Sequence, residues 1–218
     1  MTQVKICGIT TVEDGLLAAE LGASAIGLVF WPGSPRFVEM ARARAIVAAL
    51  PPFVAAVGVF VDQPEHALHV AHEIGLSALQ FHGDEIPGSY RASPFRVIKA
   101  VTVRDASARE EAAAVPASAT VLLDAHDRVK RGGTGRVVDW SIGAMIARTR
   151  PVILSGGLSA DNVAEAVRTV APYAIDVSSG VELAFGRKDP AKLRALFAAL
   201  EGIPQSEGGR PARTSESE

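Results

Sequence analysis

Cysteine occurs once in the 218 residues, as Cys7. A lone thiol excludes an intramolecular disulfide framework and a multi-cysteine zinc site, and it suits a reducing compartment. Long hydrophobic runs are also missing: no stretch approaches the roughly 18 apolar residues needed to cross a bilayer. The N-terminus leads straight into Val4-Lys5-Ile6, without a basic region, extended apolar segment or small-residue cleavage site. Neither sign of charge prevails, since 22 Lys and Arg face 24 Asp and Glu for a formal net charge of −2. That balance offers no electrostatic pull toward nucleic acid or an anionic membrane, although a few local cations would suffice for a small anion. The expectation is a soluble cytoplasmic protein, with no nucleic-acid or membrane partner.

What is present is enough apolar residue, 48%, to build a real core. Short runs rich in Val, Ile and Leu recur at residues 3–7, 25–30, 54–61, 78–82, 95–100, 119–124, 151–155 and 174–178. Helical signals lie between them. Thr11 and Asp14 have capping-box spacing ahead of a helix with Val12, Leu16 and Ala19 on one face, and Ser159 is placed to cap one carrying Val163, Val167 and Val170. Strands separated by helical crossovers are parallel and covered on both faces. An open doubly wound sheet keeps the same alternation, but eight strand-then-helix units favour closure into an α/β (β/α)8 TIM barrel. One domain is expected over residues 1–203, followed by a disordered polar tail, 204–218.

In such a barrel the chemistry gathers where strands end and the following loops begin. The first run ends Lys5-Ile6-Cys7-Gly8, and alternation puts Lys5 and Cys7 on one side, opposite Val4 and Ile6. The fourth ends Gln80-Phe81-His82-Gly83-Asp84, the sixth Leu122-Leu123-Asp124, and the eighth carries Asp176 before Val177-Ser178-Ser179-Gly180. A lone cytosolic cysteine is ordinarily a small buried hydrophobe. Lys5 beside it reverses that preference, because a cation stabilises the thiolate that a general base needs. Asp124, otherwise a loop carboxylate, becomes a candidate general acid once a base stands across the mouth. Leu122 and Leu123 are expected to desolvate it.

The seventh run ends Leu154-Ser155-Gly156-Gly157-Leu158 and the eighth leads into Ser179-Gly180. Glycines after strands seven and eight let backbone N–H groups approach an anion, which makes Gly156, Gly157, Ser179 and Gly180 candidates for binding phosphate. The segment Phe30-Trp31-Pro32-Gly33-Ser34-Pro35-Arg36-Phe37 is stiff enough to present Arg36 as a guanidinium fork to a carboxylate, although taken alone it reads as a loop with a solvated arginine. His66, His69 and His72 do not make a metal site, because helical steps of three drift by roughly 60° each and fan the rings apart. Gly132-Gly133-Thr134-Gly135-Arg136 fits neither a P-loop nor a dinucleotide fingerprint and reads as a lid after the sixth strand. No metal is expected.

Several of these segments together resemble the phosphoribosylanthranilate isomerase family of tryptophan biosynthesis, over about the first 200 residues. They are Lys5-Ile6-Cys7-Gly8-Ile9-Thr10, Ser34-Pro35-Arg36, Val57-Gly58-Val59-Phe60, Leu79 to Glu85, Leu122-Leu123-Asp124, Gly132-Gly133-Thr134-Gly135, Ser155-Gly156-Gly157-Leu158 and Asp176 to Glu182. The family more often has Lys where Arg136 stands and Thr-Phe where Val137-Val138 follow. The resemblance implies a cofactor-free Amadori rearrangement of a small phosphorylated substrate by a monomer or homodimer. It implies Cys7 as base, Asp124 as acid, Arg36 on the anthranilate carboxylate, the glycine loops on the phosphate, and Lys5, His82 and Asp176 lining the substrate. The competing readings are an aldolase using Lys5 or Lys99 as a Schiff base, a metal-dependent epimerase, and a barrel that binds a phosphorylated metabolite without turning it over.

Overall fold

The computed structural model describes residues 2–85, 93–124 and 140–203. Eight parallel strands close in chain order: β1 (Gln3–Cys7), β2 (Ala25–Val29), β3 (Ala55–Phe60), β4 (Ala78–Phe81), β5 (Arg96–Thr102), β6 (Ala119–Asp124), β7 (Val152–Ser155) and β8 (Ala174–Val177). β1 pairs with both β2 and β8, and this seam closes the barrel. The apolar runs therefore mark the staves, and the chain is a single (β/α)8 barrel. Around it lie α1 (Val12–Glu20), α2 (Met40–Ala49), α3 (Pro64–Ile74), α4 (Ala108–Ala114), α5 (Trp140–Ala147), α6 (Val163–Val170) and α7 (Pro190–Leu200). Between β4 and β5 no helix is seen among the described residues. The lid expected around 132–136 and the tail expected at 204–218 lie outside them.

Strand alternation divides the core into two compartments. Val57, Ala78, Ile98, Leu122, Ile153 and Ala174 fill the bore. Val4, Ile6, Ile26, Leu28, Phe60, Leu79, Phe81, Val121, Leu123, Leu154 and Ile175 face outward into the larger layer beneath the helices. The same alternation carries Lys5, Cys7, Gln80, Asp124 and Asp176 to the inner side, near the strand ends.

Two helix expectations change in detail. Thr11 does cap α1, accepting from the Asp14 N–H at 3.2 Å, but Asp14 turns its own carboxylate to the Lys188 N–H at 3.0 Å. The buried face of α1 is Gly15 and Ala18, with Leu16 40% exposed. Small residues win there because they let the helix settle close to Ile9 and Ile46. α6 begins at Val163 with Asn162 as its cap residue, and Ser159 opens the preceding turn, where its N–H donates to Asn162 Oδ1 at 2.9 Å.

One polar clamp holds the outer layer. Arg150, before β7, donates to the carbonyls of Ala112 at 2.7 Å, Val115 at 2.8 Å, Pro116 at 3.3 Å and Ala119 at 2.8 Å. One guanidinium thus ties four acceptors of the α4–β6 connection together, of which the Ala112 and Pro116 carbonyls also accept the Val115 and Ala119 N–H groups. Arg150→Met removes all of its bonds and is expected to cost about 2 kcal/mol, a fall in Tm of roughly 4–8 °C for a chain of this size. Turnover at 25 °C should be unchanged; differential scanning calorimetry and an activity assay on one preparation check both.

Candidate active site

Cys7 and Lys5 enter the bore from β1, where register sets Lys5 beside Asp176 of β8 and Cys7 beside Gly27 of β2. Lys5 Nζ and Asp176 Oδ2 form a buried ion pair at 2.9 Å, and Lys5 also acts electrostatically on the Cys7 thiol. Gly27 makes room for this arrangement. A Cβ there would stand 2.7 Å from Cys7 Sγ and 3.1 Å from Lys5 Cε, so any side chain would displace the sulfur.

The expectation that Lys5 yields a ready thiolate needs correction. Burial is the largest influence on Cys7 and raises its thiol pKa; Lys5 and Lys188 pull it down, Asp176 pushes it up, and the net shift is upward. The physical reason is that burial strips the thiolate of water, a penalty that the nearby cations do not overcome. Lys5 itself is held above its ordinary value, because burial, which works against its charge, is more than offset by Asp176 and Cys7.

Across the mouth, β4 delivers His82 and β6 delivers Asp124, and His82 Nε2 lies 3.1 Å from Asp124 Oδ2. Gln80 Nε2 lies 3.4 Å from His82 Nδ1, on the same inner face two residues back. A Gln amide donating to Nδ1 leaves the proton on Nε2, directed at the carboxylate. Leu122, on the inner face of β6 with Asp124, is fully buried, whereas Leu123, equally buried, faces outward under the helices. Gln80 Oε1, Asp176 Oδ1 and Ser178 Oγ are buried with no hydrogen-bond partner among the described residues. Such acceptors are costly to leave unmet and suit a ligand rich in hydroxyl groups.

Arg36 is not a solvated loop residue. Its Nε donates to Glu182 Oε1 at 2.8 Å and one amino group donates to Glu182 Oε2 at 2.6 Å, while the guanidinium lies 5.0 Å from the Phe185 ring centre. The fork already grips a carboxylate of the protein, so a ligand carboxylate would meet the other amino group. Burial disfavours the Glu182 charge, but Arg36 and Lys188 hold its pKa below the usual carboxylate range.

Gly156 and Gly157 follow β7 at φ +94° and +66°, the left-handed region that favours glycine. Ser179 and Gly180 form a short 3₁₀ turn after β8. The two loops touch: a Cβ on Gly180 would collide with the Leu158 carbonyl oxygen, a backbone atom with little freedom to yield. The four candidate phosphate residues are thus brought together on one side of the mouth.

Lys99 lies elsewhere. It shares the outward face of β5 with Val97 and Val101, and its Nζ donates to Glu85 Oε2 at 2.8 Å and to the Gly83 carbonyl. Glu85 Oε1 accepts the Asp62 N–H at 2.8 Å, and Glu85 Oε2 the Gly83 N–H at 3.0 Å. Lys99 braces the turn behind His82 and offers no amine to the bore. The three histidines of α3 have three neighbourhoods: His66 edge-on to Phe60, His69 beside Glu73, His72 against Phe95. Among the described residues no cluster of His, Cys, Asp and Glu has a metal-binding arrangement.

Sequence reasoning passed over Gln80, Gly27 and Lys188. Gln80 could have been found, since period-two alternation places it with His82. Gly27 and Lys188 carry no local signal.

The family model for N-(5'-phosphoribosyl)anthranilate (PRA) isomerase matches residues 4–199. The N-(5'-phosphoribosyl)anthranilate isomerase of Pelobacter propionicus is 47% identical over 198 residues, 90% of this chain and 94% of its own. Phosphoribosyl anthranilate isomerase from Thermotoga maritima superposes with a TM-score of 0.86 at 42% identity, covering 93% of this chain and 100% of that one. A second structure of such an isomerase, at TM-score 0.84 and 40% identity over 93% and 100% of the two chains, holds reduced 1-(o-carboxyphenylamino)-1-deoxyribulose 5-phosphate. With the barrel, the two-sided mouth and these similarities in agreement, the chain belongs to the N-(5'-phosphoribosyl)anthranilate isomerase family.

Proposed function

We infer that this chain catalyses the Amadori rearrangement of N-(5-phosphoribosyl)anthranilate to 1-(2-carboxyphenylamino)-1-deoxyribulose 5-phosphate, a step of tryptophan biosynthesis, with Cys7 as general base and Asp124 as general acid. The observation that carries the assignment is the inward placement of both groups at the same strand ends, on staves β1 and β6. Asp124 protonates the furanose ring oxygen, and the ring opens to an iminium whose charge acidifies the C2 proton. Cys7 as thiolate takes that proton, and the resulting enolamine tautomerises to the ketone. His82 and Gln80 hold the carboxyl in register.

The rest of the mouth supports the same reading. Gly156, Gly157, Ser179 and Gly180 receive the phosphate and Arg36 the anthranilate carboxylate, so both ends are fixed while the middle reacts. Asp176 Oδ1 and Gln80 Oε1 accept sugar hydroxyls, while Asp176 Oδ2 stays paired with Lys5. The raised Lys5 pKa and the braced Lys99 both argue against a Schiff-base aldolase, which needs a neutral amine. The partner is therefore a small phosphorylated metabolite. Among the described residues no helix is long and apolar enough to cross a membrane, in keeping with action in the cytoplasm. One related T. maritima enzyme is described as dimeric, which favours the homodimer here.

Loss of phosphoribosylanthranilate fluorescence on adding the protein tests the activity; no loss above the uncatalysed rate contradicts it. The pH dependence carries a second expectation. A base whose pKa is raised is mostly protonated at neutral pH, and the acid must keep its proton in the same active form, so kcat/KM should show two limbs, one of them at a Cys7 midpoint above the ordinary cysteine value, about 8.5. A profile with no limb above about pH 8.5 would exclude Cys7 as the titrating base.

A further inference from the structure

Lys188 is a buried cation for which the mechanism above has no use. It stands on β10 (Arg187–Lys188), paired with β9 (Glu182–Ala184), in the connection between β8 and α7. Its side chain is 0% exposed. All three ammonium protons have acceptors: the Cys7 carbonyl at 2.6 Å, Glu182 Oε1 at 3.0 Å and the Ser178 carbonyl at 3.3 Å. Its backbone N–H is held by Asp14 of α1, and the next residue, Asp189, caps α7. Burying an ammonium is costly even when it is paired, and an apolar side chain of similar volume often serves stability as well. Position is what such a group can supply.

The three acceptors belong to three different parts of the site. Cys7 is the base, Ser178 opens the loop carrying Ser179 and Gly180, and Glu182 grips Arg36. We propose that Lys188 is a positioning residue, the joint through which the phosphate loop and the carboxylate-binding arginine fix the backbone of the base in its reactive place. This rests on the isomerase reading above. The charged groups around Cys7 are Lys5 on its own strand, Asp176 on β8 and Lys188 on β10, with Glu182 and Arg36 behind Lys188. Lys188, like Lys5, draws the Cys7 pKa down and so also contributes to holding the thiolate.

The test uses Lys188→Met, which keeps length and removes all three donors. The expected result is a fall in kcat of about 10–100-fold, as for a misplaced reacting group. The Cys7 thiolate, followed by its ultraviolet absorbance, should titrate about one pH unit higher, as for loss of a nearby cation. A folded variant that keeps wild-type kcat and titration midpoint, losing only thermal stability, overturns the proposal. Lys188→Met combined with Glu182→Leu leaves no stranded carboxylate and carries the same test should the single variant not fold. It should stay slow with a displaced thiolate, whereas recovery of both values to wild type shows that only an unpaired Glu182 mattered. The titration needs no substrate: a wild type that fails to turn over contradicts the isomerase, while an unmoved thiolate contradicts the role of Lys188 alone.

Discussion

Cys7→Ala is expected to lower kcat by about 10³- to 10⁴-fold, the upper part of what a positioned base contributes. The thiol makes no phosphate or carboxylate contact, so KM should change by less than about threefold, in line with loss of an interaction made only in the transition state. Folding should survive, because Ala removes a single sulfur atom at the end of β1 and leaves the strand pairing untouched. Progress curves of fluorescence decay, with a melting curve on the same sample, separate the two effects. Cys7→Ser asks the harder question. It keeps shape and hydrogen bonding but replaces the thiol with a far weaker acid, and it should be nearly as slow as Cys7→Ala.

Asp124→Asn should be comparably damaging, about 10²- to 10⁴-fold in kcat. The amide preserves size, and its oxygen can still accept from His82 Nε2, so the 3.1 Å contact survives in form. What disappears is a proton that can be handed to the ring oxygen. If Asp124 only oriented His82, the amide would do that nearly as well and the loss would be within tenfold. A loss of three decades with an unchanged Tm separates donation from orientation.

The barrel was legible because its signal is periodic and local. Val4 and Ile6 against Lys5 and Cys7 states which face of β1 is wet, and the same reading on β4, β6 and β8 brings His82, Asp124 and Asp176 inward. Closure followed from counting strands. The sequence was less informative where long separations meet. Arg36 and Glu182 are 146 residues apart, and Lys188 meets the Cys7 carbonyl across 181; no spacing rule connects such pairs. The sign of the Cys7 shift was missed for a related reason, since Lys5 was visible beside it while the burial that outweighs Lys5 is made by strands from the whole length of the chain. The face of α1 was misjudged because a hydrophobic pattern favours Leu16, whereas close packing against Ile9 and Ile46 selects Gly15 and Ala18.

Because the protein has one cysteine, thiolate absorbance reports on Cys7 alone, and this makes the central claim directly measurable. The midpoint of that titration in the free protein should lie above the ordinary cysteine value and coincide with the midpoint of one limb of kcat/KM against pH, the other limb belonging to the acid. A thiolate that titrates more than a unit away from both kinetic limbs, or a limb at the thiolate midpoint that persists unchanged in Cys7→Ala, would show that another group takes the C2 proton.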